Sequence, residues 1–125
     1  MNKFEKKESK FSINIPVYNE IDNLPILINE IKNTIKDINF LSDYEIILID
    51  DASEDGSTRY LNNLIDKKIV TLFNKSNHGQ SYSITKGIKN SKFKNIITLD
   101  ADLQNNPKDI KLLYEKYIIE DELFL

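Results

Sequence analysis

Apolar residues fall along the chain in short runs separated by clusters of Asp, Asn, Ser and Gly, and the runs alternate between two periods. The stretch FSINIPV, residues 11–17, is compact, stops around Pro16 and reads as a strand. Behind it Leu24, Leu27, Ile28, Ile31, Ile35 and Ile38 recur at the spacing of one helical face. YEIILID, residues 44–50, is a strand of the fully buried type, followed by the turn-rich DASEDGS and a helical stretch around TRYLNNLI. The unit then repeats in kind, with IVTLFN as strand, SNHGQSYSITKGIKNS as loop and helix, and NIITLD as a fourth strand. Asn106 and Pro107 suit the N-cap and first position of a fourth helix, with Asp109 in its first turn and Ile110, Leu113, Tyr114 and Tyr117 on its apolar side.

Four strands alternating with four helices predict an open, largely parallel α/β sheet with helices on both faces. In such sheets ligands bind beyond the carboxyl ends of the strands. The polar clusters all fall at those ends: Tyr18, Asn19 and Glu20 after the first strand, Asp50 and Asp51 after the second, residues 77–80 after the third, and Asp100 and Asp102 after the fourth. One rim is thus expected to gather the carboxylates of Glu20, Asp50, Asp51, Asp100 and Asp102.

Composition narrows what that rim can hold. The chain has 125 residues, 40% hydrophobic and 30% charged, which suits one domain of modest core. A net charge of -3 and an isoelectric point near 5.2 create no field for DNA or RNA, so nucleic acid is disfavoured as a partner. An anionic ligand would have to be held by local backbone, lysine or metal. With no cysteine and His78 as the sole histidine, disulfides and thiolate sites are excluded and a metal would be a hard cation on oxygen ligands. The leading MNKFEKKESK, residues 1–10, is polar and lacks the apolar centre of a signal peptide, so it is expected to be a mobile leader to a single domain over residues 11–125. No run reaches membrane-spanning length, and the expected location is the cytoplasm, with contact to the inner membrane face only through an acceptor or partner.

Each cluster has a plain reading beside a functional one. The two carboxylates of LDADLQNNP could face one divalent ion, or be solvated loop charges. In IDDASEDGS, Asp55-Gly56 is a turn signal and Ser53 or Ser57 could cap the next helix, while a carboxylate at the strand end could accept from a nucleobase N–H or ribose hydroxyls. Tyr18 could pack on the sheet edge or beside a base, and Glu20 could lie near a helix N-terminus or accept from that base. Gly79 permits close backbone approach, and N–H groups at the helix start favour an anion such as diphosphate, although the P-loop pattern is absent. Lys86 is expected to be solvated rather than on phosphate, and His78 to be a surface loop residue.

Taken in order, IPVYNE, ILIDDASEDGS, NHGQSYSITKGI and ITLDADLQNNP resemble the N-terminal half of family 2 glycosyltransferases of the GT-A fold, particularly the dolichol-phosphate mannose synthases and bacterial polyprenyl-phosphate sugar transferases. The resemblance covers residues 11–117. It implies a nucleotide-sugar site framed by Pro16, Tyr18, Glu20, Asp50, Asp51, Gly79 and Asp100. It implies that Asp100 and Asp102, assisted by Gln104, hold Mg²⁺ or Mn²⁺ against the diphosphate of a UDP- or GDP-sugar. It further implies an inverting displacement toward a lipid phosphate or glycan acceptor. Family members continue past the position of Leu125, so any general base is expected beyond it, and the chain reads as a truncated donor half that needs an acceptor-half partner chain or self-associates. A non-catalytic nucleotide-sugar-binding module is the alternative. A receiver-type signalling domain is more remote, because its acid pair would follow the first strand instead of the second.

Overall fold

The computed structural model describes residues 9–38 and 41–102. Its elements are β1 (Ser9–Val17), α1 (Leu24–Lys36), β2 (Leu41–Asp50), α2 (Ser57–Asn62), β3 (Ile69–Phe73), α3 (Gln80–Lys89) and β4 (Asn95–Thr98). The strands form one parallel sheet in the order β3-β2-β1-β4. Parallel strands require crossovers, and the three helices supply them. The helix expected from Asn106 onward and the candidate ligand Gln104 lie outside the described residues.

The alternation seen in FSINIPV has a two-sided meaning. Phe11, Ile13, Ile15 and Val17 join Ile46 and Leu48 of β2 and Leu24, Leu27, Ile28, Ile31 and Ile35 of α1 in one hydrophobic cluster. The intervening Ser12 and Asn14 are buried as well, on the face that α3 covers. There Gly87 lets α3 approach so closely that an added Cβ would stand 2.8 Å from Ile49 Cδ1 and 3.0 Å from Asn14 Nδ2. Ser12 donates to Glu45 Oε2 at 2.6 Å, and the same oxygen accepts the Lys92 N–H. This buried polar group joins the α3–β4 connection to the sheet far from the carboxyl ends of the strands.

Several element ends differ from the sequence reading. β1 begins at Ser9, within the polar leader, and β2 at Leu41, because ladder pairing to a neighbour extends a strand beyond its apolar run. β4 stops at Thr98, leaving Leu99 and Asp100 past the ladder. At the start of α1 the Glu20 carbonyl accepts the N–H groups of Asn23 and Leu24, and Pro25 sits within the first turn, where a missing N–H costs nothing.

Candidate functional site

Connections β1–α1–β2 and β2–α2–β3 step the sheet in one direction, whereas β3–α3–β4 returns across it to the far side of β1. The strand order therefore reverses between β1 and β4, and loops leaving those two strands diverge and open a crevice. A cavity of about 170 Å³ occupies this place, lined by Pro16, Val17, Tyr18, Glu20, Asp51, Gln80, Ser83, Asp100, Ala101 and Asp102. Four of these residues are acids, and among the described residues none of its walls carries Lys, Arg or His.

Each wall has a local cause. Asn19, with φ of 54°, turns the chain sharply after β1, so that Tyr18 stands half exposed at the mouth while Glu20 returns toward the start of α1 and accepts from Asn23 Nδ2 at 2.8 Å. That turn is held by the loop after β2. The N–H of Asn19 donates to Ser53 Oγ at 2.9 Å, that of Glu20 to Ser57 Oγ at 3.1 Å and that of Ile21 to Asp55 Oδ2 at 3.1 Å. In return the Asn19 side-chain oxygen accepts the Glu54 N–H at 2.8 Å. Ser53 and Ser57 thus join two loops and make no side-chain cap; α2 starts instead from Gly56 in the left-handed conformation.

Asp51 forms the floor nearest α3. Its Oδ1 accepts Asn74 Nδ2 and the His78 N–H, each at 2.8 Å, and its Oδ2 accepts the Gly79 N–H at 2.9 Å. Burial pushes this carboxyl upward, but the bonds from His78, Asn74 and Gly79 outweigh it and hold the group below the ordinary aspartate value. The sequence placed a ligand's diphosphate at the start of α3; in the fold an internal carboxylate already binds the Gly79 N–H there. Gly79 itself has φ of 93°, a conformation that side chains disfavour, and open space where a Cβ would stand.

Asp50 is turned away from the cavity. It is 1% exposed, and its oxygens accept the Ser53 hydroxyl at 2.6 Å and the Thr58 hydroxyl. The carboxylate rim therefore closes around the cavity with Glu20, Asp51, Asp100 and Asp102, and Asp50 supports the loop behind it. Pro16 and Tyr18 line the cavity, while Gly79 acts through its backbone. Gln80, at the first turn of α3, reaches across to Asp100 Oδ1 at 3.3 Å. Gln80 closes the 77–80 cluster read from the sequence, whereas Ser83 was not singled out there, being one polar residue among many on a polar helix. Lys86 is half-buried and internally bonded: its ammonium donates to the Phe73 carbonyl at 3.1 Å and to Asn74 Oδ1 at 3.0 Å. His78 is exposed and stacks on Tyr82, with ring centroids 4.2 Å apart.

Asp100 and Asp102 offer hard oxygen donors of the kind that Mg²⁺ or Mn²⁺ prefers. Among the described residues no three His, Cys, Asp or Glu side chains are grouped to hold a metal by themselves. An ion at this place would therefore need a ligand's oxygens and water to complete its shell.

A parallel sheet with a crevice at the point of strand reversal defines a Rossmann-like α/β protein, and the solved structures it superimposes on share its GT-A fold. A mannosyltransferase from Pyrobaculum calidifontis, solved with GDP-Man and Mn²⁺, matches with a TM-score of 0.65 at 16% identity, over 86% of this chain and 33% of that one. TarS 1–349 of S. aureus with UDP matches with a TM-score of 0.62 at 22% identity, over 89% of this chain and 32% of that one. The chain belongs to glycosyl transferase family 2, whose family model matches residues 12–123. Among curated relatives, the undecaprenyl-phosphate 4-deoxy-4-formamido-L-arabinose transferase of Pseudomonas fluorescens is 42% identical over 105 residues, covering 82% of this chain and 30% of that protein. The enzyme of the same name from Proteus mirabilis is 41% identical over 117 residues, covering 90% and 35% respectively. The chain thus spans about a third of the length of these relatives. Among the described residues, no helix is long and apolar enough to cross a membrane.

Proposed function

We propose that the cavity is the donor site of an inverting glycosyltransferase, which binds a UDP- or GDP-sugar with Mg²⁺ or Mn²⁺ and passes the sugar to a polyprenyl phosphate or glycan. The observation that carries this reading is the charge of the walls, which among the described residues hold four carboxylates and no cationic side chain. A bare diphosphate would be repelled by such a cavity, whereas a diphosphate accompanied by a divalent cation is attracted. At the start of α3 the Gly79 N–H is already taken by Asp51, so that donor is not open to a diphosphate. Relatives named as undecaprenyl-phosphate sugar transferases support the acceptor class, and the neighbour solved with GDP-Man and Mn²⁺ supports the donor and the ion.

In this reading Asp100 and Asp102 hold the ion, and Gln104 is proposed to assist them. The ion supplies charge neutralisation for the departing nucleoside diphosphate. Tyr18, half exposed at the mouth, offers a flat apolar surface for the base, with Pro16 behind it. Glu20 also lines the cavity and is a hydrogen-bond acceptor for the base. Asp50 contributes by fixing Ser53 and Thr58, and through Ser53 the Asn19 turn on which Tyr18 rides. In the transfer an acceptor oxygen bonds to the anomeric carbon as the bond from that carbon to the diphosphate breaks, its electron pair leaving with the diphosphate. A lipid phosphate is already anionic and needs no base for this step.

Calorimetry of GDP-mannose and UDP-glucose binding, with and without Mn²⁺, tests the proposal. Binding is expected only with the ion, and Asp102→Ala should weaken it by about tenfold or more, as loss of one charge-assisted contact worth about 1.5–3 kcal/mol requires. Equal affinity with the ion, without it and in the variant would overturn the metal assignment.

A further inference from the structure

Behind Asp51 runs a chain of polar groups that touches the cavity only through Asp51 and Ser83. Asn74, the residue after β3, is 8% exposed. Its Nδ2 donates to Asp51 Oδ1 at 2.8 Å and to Ser83 Oγ at 3.0 Å, and its Oδ1 accepts from Lys86 Nζ at 3.0 Å. Lys86 also donates to the Phe73 carbonyl at 3.1 Å. Neither Asn74 nor Lys86 lines the cavity.

The order of charges along this chain fixes its geometry. The carboxamide of Asn74 lies between an anion and a cation, with its oxygen toward the ammonium and its nitrogen toward the carboxylate. Rotating the amide by half a turn would set oxygen against Asp51 and nitrogen against Lys86, two unfavourable contacts in a region of low water content. Lys86 therefore holds Asn74 in one orientation, and Asn74 holds Asp51. Asp51 in turn binds the N–H groups of His78 and Gly79. That turn places Gln80 and Ser83 on the cavity wall.

We infer that Lys86 and Asn74 are positioning residues, which act through Asp51 to hold the 78–79 turn and the α3 wall of the cavity in the geometry that receives the nucleotide sugar. The inference rests on the donor-site reading for its ligand, but its mechanical part stands on the protein alone.

Two measurements on the full 125-residue chain separate these parts. In amide hydrogen exchange without ligand, Lys86→Met should speed exchange at His78 and Gly79 by about tenfold, the equivalent of one hydrogen bond of about 1.4 kcal/mol, while β1 and β2 keep their protection. Lys86→Arg, which retains a cation and its donors, should restore it. In calorimetry with Mn²⁺, Lys86→Met should weaken GDP-mannose or UDP-glucose binding by a similar factor and Lys86→Arg should recover it. Unchanged protection at His78 and Gly79 in Lys86→Met would overturn the inference, and so would a uniform loss across β1 and β2, which would assign Lys86 to general stability. Asn74→Leu should reproduce Lys86→Met at the same two amides; if that variant does not fold, the Lys86 pair decides. Absence of binding by the wild type to both sugars would count against the donor-site reading, and exchange would then decide the inference alone.

Discussion

Asp50 and Asp51 are adjacent and chemically identical, yet the strand end sends them to opposite duties. Asp51 faces the cavity and the start of α3, and Asp50 faces the loop that precedes α2. Sequence can count two carboxylates at a strand end, but which one lines the cavity depends on partners such as Ser53, Thr58, Asn74 and Gly79, which only the closed sheet assembles. The hydrogen bonds also have a pH signature. Asp51, Asp55 and Asp66 are all held below their ordinary values: in Asp51 and Asp55 hydrogen bonding outweighs burial, and in Asp66 the Lys32 partner leads. A carboxyl with a folded pKa below its unfolded value of about 3.9 stabilises the fold above that value and loses the contribution as pH falls through the folded pKa. The melting temperature should hold from neutral pH to about 5 and drop below about 4. Asp51→Asn should start about 1–3 kcal/mol less stable, because its amide must face the Gly79 N–H with a donor or turn one toward Asn74 and His78. It should also show a shallower acid decline by circular dichroism. An acid limb as steep as that of the wild type would assign the loss to other groups.

At the scale of elements, α3 rests on two glycines for different reasons. Gly87→Ala would drive a methyl into Ile49 and Asn14, both fully buried, and should cost roughly 1–3 kcal/mol in urea denaturation through overpacking. Gly79→Ala meets nothing within 4 Å, so its cost of about 1–3 kcal/mol is one of backbone conformation and should fall on the 78–79 turn. Equal losses of protection across β1 and β2 in both variants would contradict that separation. Among the described residues the strands and helices themselves were legible, since Leu24, Leu27, Ile28, Ile31 and Ile35 are buried as their spacing requires and each strand overlaps its apolar run. The polar half of the core was not. Ser12, Asn14 and Glu45 look like solvent-facing positions until α3 and the loop at Lys92 cover them. Likewise Lys86 resembles any helix-surface lysine, because its partners, Phe73 and Asn74, come from a different element.

For the molecule as a whole, the reversal of strand order and the charge of the crevice act together. The sheet order places β1 and β4 side by side, and their diverging loops bring Glu20, Asp100 and Asp102 to one cavity with Asp51 from β2. Their summed field should attract a dication even before any sugar nucleotide arrives. Manganese binding to the ligand-free chain, followed by electron paramagnetic resonance, should weaken several-fold as ionic strength rises from about 10 mM to about 150 mM, where the screening length shrinks from about 30 Å to about 8 Å. Asp102→Ala should both weaken that binding and flatten its salt dependence. Affinity that ignores salt would mean that the ion is held by only one or two close contacts and not by the cavity's charge.

The loops after β1 and β2 are bonded to each other through three consecutive N–H groups, of Asn19, Glu20 and Ile21, and through the reciprocal bond from Glu54 to Asn19. They are separate in sequence but behave as two halves of one part. An insertion or deletion in either would put every one of those donors out of step with its acceptor. Grafting DASEDGS alone into a relative with a different YNEI segment should therefore yield a poorly seated chimera, whereas exchanging the two segments together should transplant cleanly. Lineages that alter the length of one loop should carry a matching change in the other.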